Sequence, residues 1–246
     1  MTTAPGDPFA ALAALPGVAD AVAEAREAAD RVAAHRVLRR YAPVVAAESA
    51  LRGARASAAL EGVDVPLDEL RSGPPGDPVV QGALRATGEV GTLVNTWRRA
   101  PGQALARLHT VVAADVAGPD ALGRPASAVA ARRLHALGGL LAGPTVASAL
   151  VVAAVVHGEV ASLPAFAWGS GVVARTAARL VLVSRGMDRK ALLAPEIGHL
   201  ERREEYATAL RAYAAGDVGT WLLHCAAAVT AAARDALAVC EALRRG

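Results

Sequence analysis

Apolar positions along this chain recur three and four residues apart, and β-branched and aromatic residues form no alternating runs, so the pattern predicts helices throughout. Pro16-Gly17 opens a long helical stretch in which Val18, Val22 and Ala25 share one stripe, with Glu24, Arg26 and Glu27 largely off it. That stretch runs on toward Tyr41, where Pro43 bends or interrupts it. A second helix covers Val44 to Leu60, with Gly62 at the expected stop and Pro66 reinforcing it. Arg71 to Pro78 is the clearest loop, and Asp77-Pro78 pairs an N-cap with a proline at the first helical position. Helix then resumes to about Trp97. The next helix starts at Pro101, carries Leu105, Leu108, His109 and Val112, and ends at Gly118-Pro119. Val129, Leu134, Leu137 and Leu141 mark a helix from Ser127 to Leu141. Thr145 to Ala161 is apolar on every side and reads as a buried helix. A short turn, Leu163 to Gly171, leads into a helix from Val172 to Ser184, closed by Arg185-Gly186. Two more helices are predicted, Glu201 to Ala214 and Val218 to Arg245, and the residues through Pro8 read as loose.

Composition agrees with an all-α fold. The 246 residues are 54% hydrophobic but only 3% aromatic, with a large excess of alanine, the best helix former. The pI is about 9.3, yet the net charge is only +3 and scattered, which argues against nucleic acid as a partner. Cys225 and Cys240 fall in one predicted helix, about 22 Å apart at about 1.5 Å per residue, too far for a disulfide. They read as reduced thiols of a cytoplasmic protein. The N-terminus has no basic region followed by an apolar core, so no secretory signal is expected. The most apolar run, Leu140 to Val156, is broken at Gly143-Pro144, and the remainder is too short to span a bilayer, so no membrane is expected either.

The chemistry concentrates where the buried helix meets its successor. Trp168-Gly169-Ser170-Gly171 makes a tight connection, and unpaired N–H groups at the start of the next helix carry partial positive charge that suits a phosphate. Arg175 stands in the first turn of that helix, where a cation opposes the dipole and needs an anion from a ligand or from the protein. Taken alone, Gly-x-Gly before a helix is equally an ordinary turn. His157, about 10 Å before Pro164 along a helix axis, reads as a core histidine, while His109 and His135 read as capping or lining surfaces. His224-Cys225 are adjacent without further partners, and no set of residues has metal-ligand spacing.

Leu163 to Arg175 resembles the active-site motif of the Fic (Fido-fold) nucleotide transferases, His-x-Phe-x-(Asp/Glu)-Gly-Asn-Gly-Arg-x-x-Arg. Laid on the chain without a gap, Phe166, Gly169, Gly171 and Arg175 match, while Pro164, Trp168, Ser170 and Val172 replace the base, the metal-binding carboxylate, the Asn and the first Arg. Ala154-Val-Val-His157-Gly-Glu159 upstream, Arg185-Gly186 downstream, and the order Tyr206, Leu210, Tyr213, Gly216-Asp217, Trp221 are similar to the family as well. Ser57-Ala-Ala-Leu-Glu61-Gly62 resembles the family's inhibitory (Ser/Thr)-x-x-x-Glu-(Gly/Asn) motif, whose Glu pairs with the second motif Arg.

The resemblance implies an all-α Fic-like helical bundle. Residues 1–100 would form an N-terminal helical extension carrying Ser57 and Glu61 as regulatory residues, and residues 101–246 the core. It implies an anion or nucleotide site at Gly169, Ser170, Gly171 and Arg175, with ATP or another nucleotide as the ligand class. With Pro164 at the base position and Trp168 at the metal position, neither a catalytic residue nor bound Mg²⁺ is expected. The family's flap, a β-hairpin that docks target peptides, has no counterpart in the pattern from Leu122 to Pro144, which reads as loop then helix. The expected function is therefore that of a catalytically degenerate Fic-fold protein acting by binding a protein or a nucleotide. The alternative is a divergent nucleotidyl or phosphoryl transferase acting on a protein hydroxyl.

Overall fold

A computed structural model describes residues 6–73 and 76–245. It is all-α, with the helices α1 Pro8–Ala13, α2 Val18–Ala33, α3 Leu38–Leu60, α4 Leu67–Ser72, α5 Pro78–Gly88, α6 Val94–Arg99 and α7 Pro101–Val112. They are followed by α8 Ala128–Ala142, α9 Ala149–Ala161, α10 Ser170–Ser184, α11 Pro195–Glu201, α12 Arg203–Ala214 and α13 Val218–Arg245. No strand occurs among the described residues.

At the centre lie α9 and α10, packed along each other. Leu150 through Gly158 are all buried, and so are Val172 through Leu182, which leaves neither helix a solvent face of any size. The rest of the bundle wraps this pair. α13 packs along α2 and α11, α3 packs on α5 and α11, and α7 supports both α5 and α10. One contiguous set of buried side chains runs from Phe9 and Val18 through Leu105, Leu150, Phe166 and Leu180 to Trp221 and Cys240. Residues on both sides of position 100 thus share one core. A smaller cluster of Ala58, Val65, Leu70 and Val80 sits beneath α4 and α5.

Several boundaries differ from the sequence expectation, each for a local reason. Pro8 belongs to α1, whose first N–H groups are capped by Asp7 Oδ1, accepting from Phe9 N at 3.1 Å and Ala10 N at 3.2 Å; residues 1–5 of the expected loose segment lie outside the described residues. The helix expected to reach Tyr41 stops at Ala33. His35 there turns across to α13, with Nε2 3.0 Å from Glu241 Oε1. α3 begins at Leu38 rather than Val44 and tolerates Pro43 by kinking at Tyr41, whose φ of −113° and ψ of 15° leave the helical region. Of the loop expected from Arg71 to Pro78, Arg71 and Ser72 belong to α4 and Pro78 to α5, while residues 74 and 75 lie outside the described residues. The stretch from Pro78 to Trp97 is two helices rather than one. α7 ends at Val112 rather than near Gly118, where Arg85 Nε takes the Val111 carbonyl at 2.8 Å. α10 starts at Ser170, two residues before the expected Val172. α11 precedes α12 with Pro195 at its first turn, a start signal the pattern reading passed over.

Cys225 and Cys240 are both buried free thiols on α13. α13, rather than the Leu140–Val156 run, is the described helix long and apolar enough to cross a bilayer, and 61% of its apolar window is buried inside the bundle.

Candidate functional site

The turn between α9 and α10 is built around Gly169 and Ser170. Gly169 adopts φ +71°, and a Cβ there would meet Val112 Cγ1 at 2.5 Å, so both the backbone conformation and the neighbouring helix demand glycine. Ser170 Oγ accepts from Phe166 N at 2.9 Å and donates to Phe166 O at 3.0 Å. Its single proton is therefore spent on closing the loop. Phe166 is buried and stacks on His109, ring centroids 4.3 Å apart and planes 11° from parallel.

His109 is fully buried, which corrects the reading of it as a capping or surface-lining residue. Nδ1 accepts from Gly123 N at 2.9 Å, which places the proton on Nε2. Burial pushes this imidazole below its ordinary value, only partly offset by the Trp168 backbone. Ala126 N also donates to Ala165 O at 2.9 Å. The segment before α8 is thus pinned to α7 through His109 and to the turn through Ala165. The apolar company of His109 on α7 was the available signal for its burial.

Arg175 lies beneath the start of α10. Its side chain is 2% exposed, and four hydrogen bonds fix it: Nε to Ser57 Oγ at 2.9 Å, Nη2 to Ser57 O at 3.1 Å, Nη2 to Glu61 Oε1 at 2.6 Å and Nη1 to Tyr206 Oη at 3.3 Å. Burial works against the guanidinium charge, but Tyr206 and Glu61 together hold its pKa above the ordinary arginine value. The Glu61 side chain remains 32% exposed, so the pair is half interior and half at the wall of a cleft. Its carboxylate packs against the backbone of Gly171, where a Cβ would collide with Oε1. An acidic group thus stands at the positive end of α10, where the sequence placed an anion.

Ser57 and Glu61 reach this point from the last turn and C-cap of α3, which closes with Gly62 at φ +99°. The structure accordingly brings Ser57, Glu61, Gly171 and Arg175 together, with Gly169 and Ser170 framing the turn beside them. Val172 is buried in the core.

Behind Arg175 lies a group that the motif alone did not reveal. Tyr206 Oη, bonded to Arg175, is also 3.0 Å from His157 Nε2, and the His157 ring meets His199 and Trp221 edge-on at 5.0 Å and 4.9 Å. His199 Nδ1 is 3.0 Å from His224 Nε2. Burial pushes His157 and His199 well below their ordinary value, with neighbouring Arg175 and His224 adding to the effect on both. On the far side of α9, Glu159 receives Arg133 Nε at 2.6 Å and Tyr213 Oη at 2.6 Å, tying α8, α9 and α12 together. His135 is exposed on α8.

A cleft of about 370 Å³ opens over the turn, lined by Pro164, Trp168, Gly169, Ser170, Gly171 and Glu61 among others. Trp168 is partly buried and packs on the main core. Among the described residues, Glu61 is the only titratable side chain in the lining. A Mg²⁺ site does not fit this lining. Trp168 has no oxygen to offer, the Ser170 hydroxyl is committed to Phe166, and the Glu61 carboxylate is committed to Arg175. Among the described residues no group of three His, Cys, Asp or Glu could hold a metal.

The fold is that of Fic proteins. A Fic family protein from Desulfovibrio desulfuricans superposes with a TM-score of 0.76 and 21% identity, over 91% of this chain and 75% of that one. A fragment of Fic-1 from C. elegans superposes with a TM-score of 0.70 and 16% identity, over 92% and 73% of the two chains. A variant of that fragment with a Glu-to-Gly substitution gives 0.69 and 17%, over 89% and 72%. The sequence matches no protein-family model and no curated protein at a significant level.

Proposed function

We propose that this chain acts by binding rather than by transfer. The start of α10, with Gly169, Gly171 and Arg175, receives an anionic group from a nucleotide or from a partner protein. Glu61, seconded by Ser57, occupies that place until the ligand arrives. The observation that carries this reading is the cleft lining, in which Glu61 is, among the described residues, the only titratable side chain and is bonded to Arg175. A transfer reaction needs a base within reach of the attacking hydroxyl, and a missing base alone costs roughly 10²- to 10⁴-fold in rate. Pro164 stands where the resemblance places that base, and Trp168 where it places the metal carboxylate.

Calorimetric titration with a panel of nucleotides, with and without Mg²⁺, tests the reading. Binding should be indifferent to Mg²⁺, stronger in Glu61→Gly, because the resident carboxylate is gone, and lost in Arg175→Ala. Affinity for Mg·ATP that depends on the metal would contradict it.

A further inference from the structure

The C-terminal end of α10 lies about 21 Å from the motif turn, at about 1.5 Å per residue over Ser170–Ser184. Two clefts of about 750 and 550 Å³ open there and adjoin, sharing Arg98, Ser184 and Arg185 in their walls. Arg189 and Lys190 line only the first cleft and Arg99 only the second, which orders the cations along the joined groove. Among the described residues no carboxylate lines either cleft. Elsewhere the arginines are largely spoken for, as in Arg26–Asp30, Arg52–Asp235, Arg107–Glu89 and Arg133–Glu159. Asp30, which borders the neighbouring cleft with Arg189 and Lys190, is held by Arg26 at 3.0 Å.

Helix ends account for part of this charge. α6, α8 and α10 all terminate at the groove, and each C-terminus carries about half a negative charge. Arg98 donates to Ser184 O at 2.8 Å in that role. Three such ends offset about one and a half of five positive charges, so a surplus of about three and a half remains.

The loop that presents Arg189 and Lys190 is also built rather than loose. Asp188 accepts from Leu192 N at 2.9 Å and Leu193 N at 2.8 Å, the buried Arg179 donates to Ala191 O at 2.9 Å, and Ser49 donates to Leu192 O at 2.7 Å. These contacts hold Ala191 at φ +53°, the one positive φ outside glycine among the described residues. Such strain persists where the surroundings impose it, and it concentrates at functional segments.

We propose that this groove binds an acidic segment of a partner protein in which carboxylates alternate with apolar residues. Cations spread in order along an open groove match a row of carboxylates, whereas a lone phosphate is gathered at one point. Val94, Val183 and Leu141, partly exposed in the same walls, receive the apolar positions. Single-stranded nucleic acid asks for aromatic platforms, and the one aromatic in the lining, Trp97, is buried. The inference goes beyond the anion site at the motif turn and does not rest on it.

The test is fluorescence anisotropy of the full chain with a labelled peptide of alternating Glu and Val. Tripolyphosphate and oligothymidylate serve as competitors, and chloride is varied. Wild type should bind the peptide, more weakly as salt rises. The exposed triple variant Arg185→Glu/Arg189→Glu/Lys190→Glu should bind about tenfold or more weakly. A control with the same charge change on exposed residues elsewhere, Arg132→Glu/Arg203→Glu/Arg211→Glu, should stay within about twofold. Absence of binding by wild type, an equal loss in the control, or tighter binding of tripolyphosphate or oligothymidylate than of the peptide would overturn the proposal.

Discussion

Arg175 is the residue on which the site turns. With 2% of its side chain exposed and four hydrogen bonds to Ser57, Glu61 and Tyr206, it cannot be removed without stranding the groups that face it. Arg175→Met should cost about 3–5 kcal/mol, the usual range for breaking a buried pair from one side. Glu61→Gln should cost far less, about 1 kcal/mol, because Glu61 is a third exposed and Arg175 keeps its bonds to Ser57 and Tyr206. Urea unfolding of the two variants measures the difference, and equal losses would mean that the exposed edge of the pair is not solvated. The pairing of Arg175 with Glu61 was legible in the sequence, because a lone cation at a helix start demands an anion and Glu61 stood in a recognisable pattern. The third partner, Tyr206, lay in a quoted stretch, but nothing in its spacing said that its hydroxyl would bridge Arg175 and His157. That the Ser170 hydroxyl closes its own loop on Phe166 could not be read from a motif position.

At the scale of elements, the turn between α9 and α10 is fixed by close approach. Gly169→Ala adds the cost of a left-handed non-glycine residue, about 1–2 kcal/mol, to a contact with Val112 that α7 cannot relieve without moving. A loss of about 2 kcal/mol or more is expected in urea unfolding. A near-neutral result would show that the turn relaxes freely and is not held by α7. Helix starts with strong punctuation were read well: Asp77-Pro78 for α5, Pro101 for α7 and Ser127 for α8. The misses share a cause. The break after Ala33, the early end of α7 and the burial of His109 are set by long-range contacts, namely His35 with Glu241, Arg85 with the Val111 carbonyl, and Phe166 on His109. Of these only the burial of His109 leaves a local mark, in its apolar neighbours on α7.

For the molecule as a whole, the buried histidines make stability depend on pH. His157 and His199 are held well below the ordinary 6.5, and His224 is pushed down to about 4 by burial and by Arg202. Because the folded values are depressed, the unfolded chain binds protons first. Stability should be full above about pH 6.5 and fall toward about pH 4, by up to roughly 1.4 kcal/mol per pH unit for each histidine. Asp188 and Glu196, buried with their carboxyls pushed up, act in the opposite sense and blunt the fall. Urea midpoints from pH 7.5 down to 5, followed with the imidazole proton spectrum, check this. His157 and His199 should show no titration while the protein stays folded, and a midpoint that rises as the pH drops would contradict it.

The central claim is that the α10 turn binds without transferring. Incubation of wild type and Glu61→Gly with α-labelled ATP and Mg²⁺ or Mn²⁺ tests it most directly. No label should appear on the protein or on added lysate proteins in either case, because removing Glu61 frees Arg175 but supplies neither the base absent at Pro164 nor the metal ligand absent at Trp168. Stoichiometric label transfer by either protein would contradict the claim and assign the site to a transferase of altered chemistry.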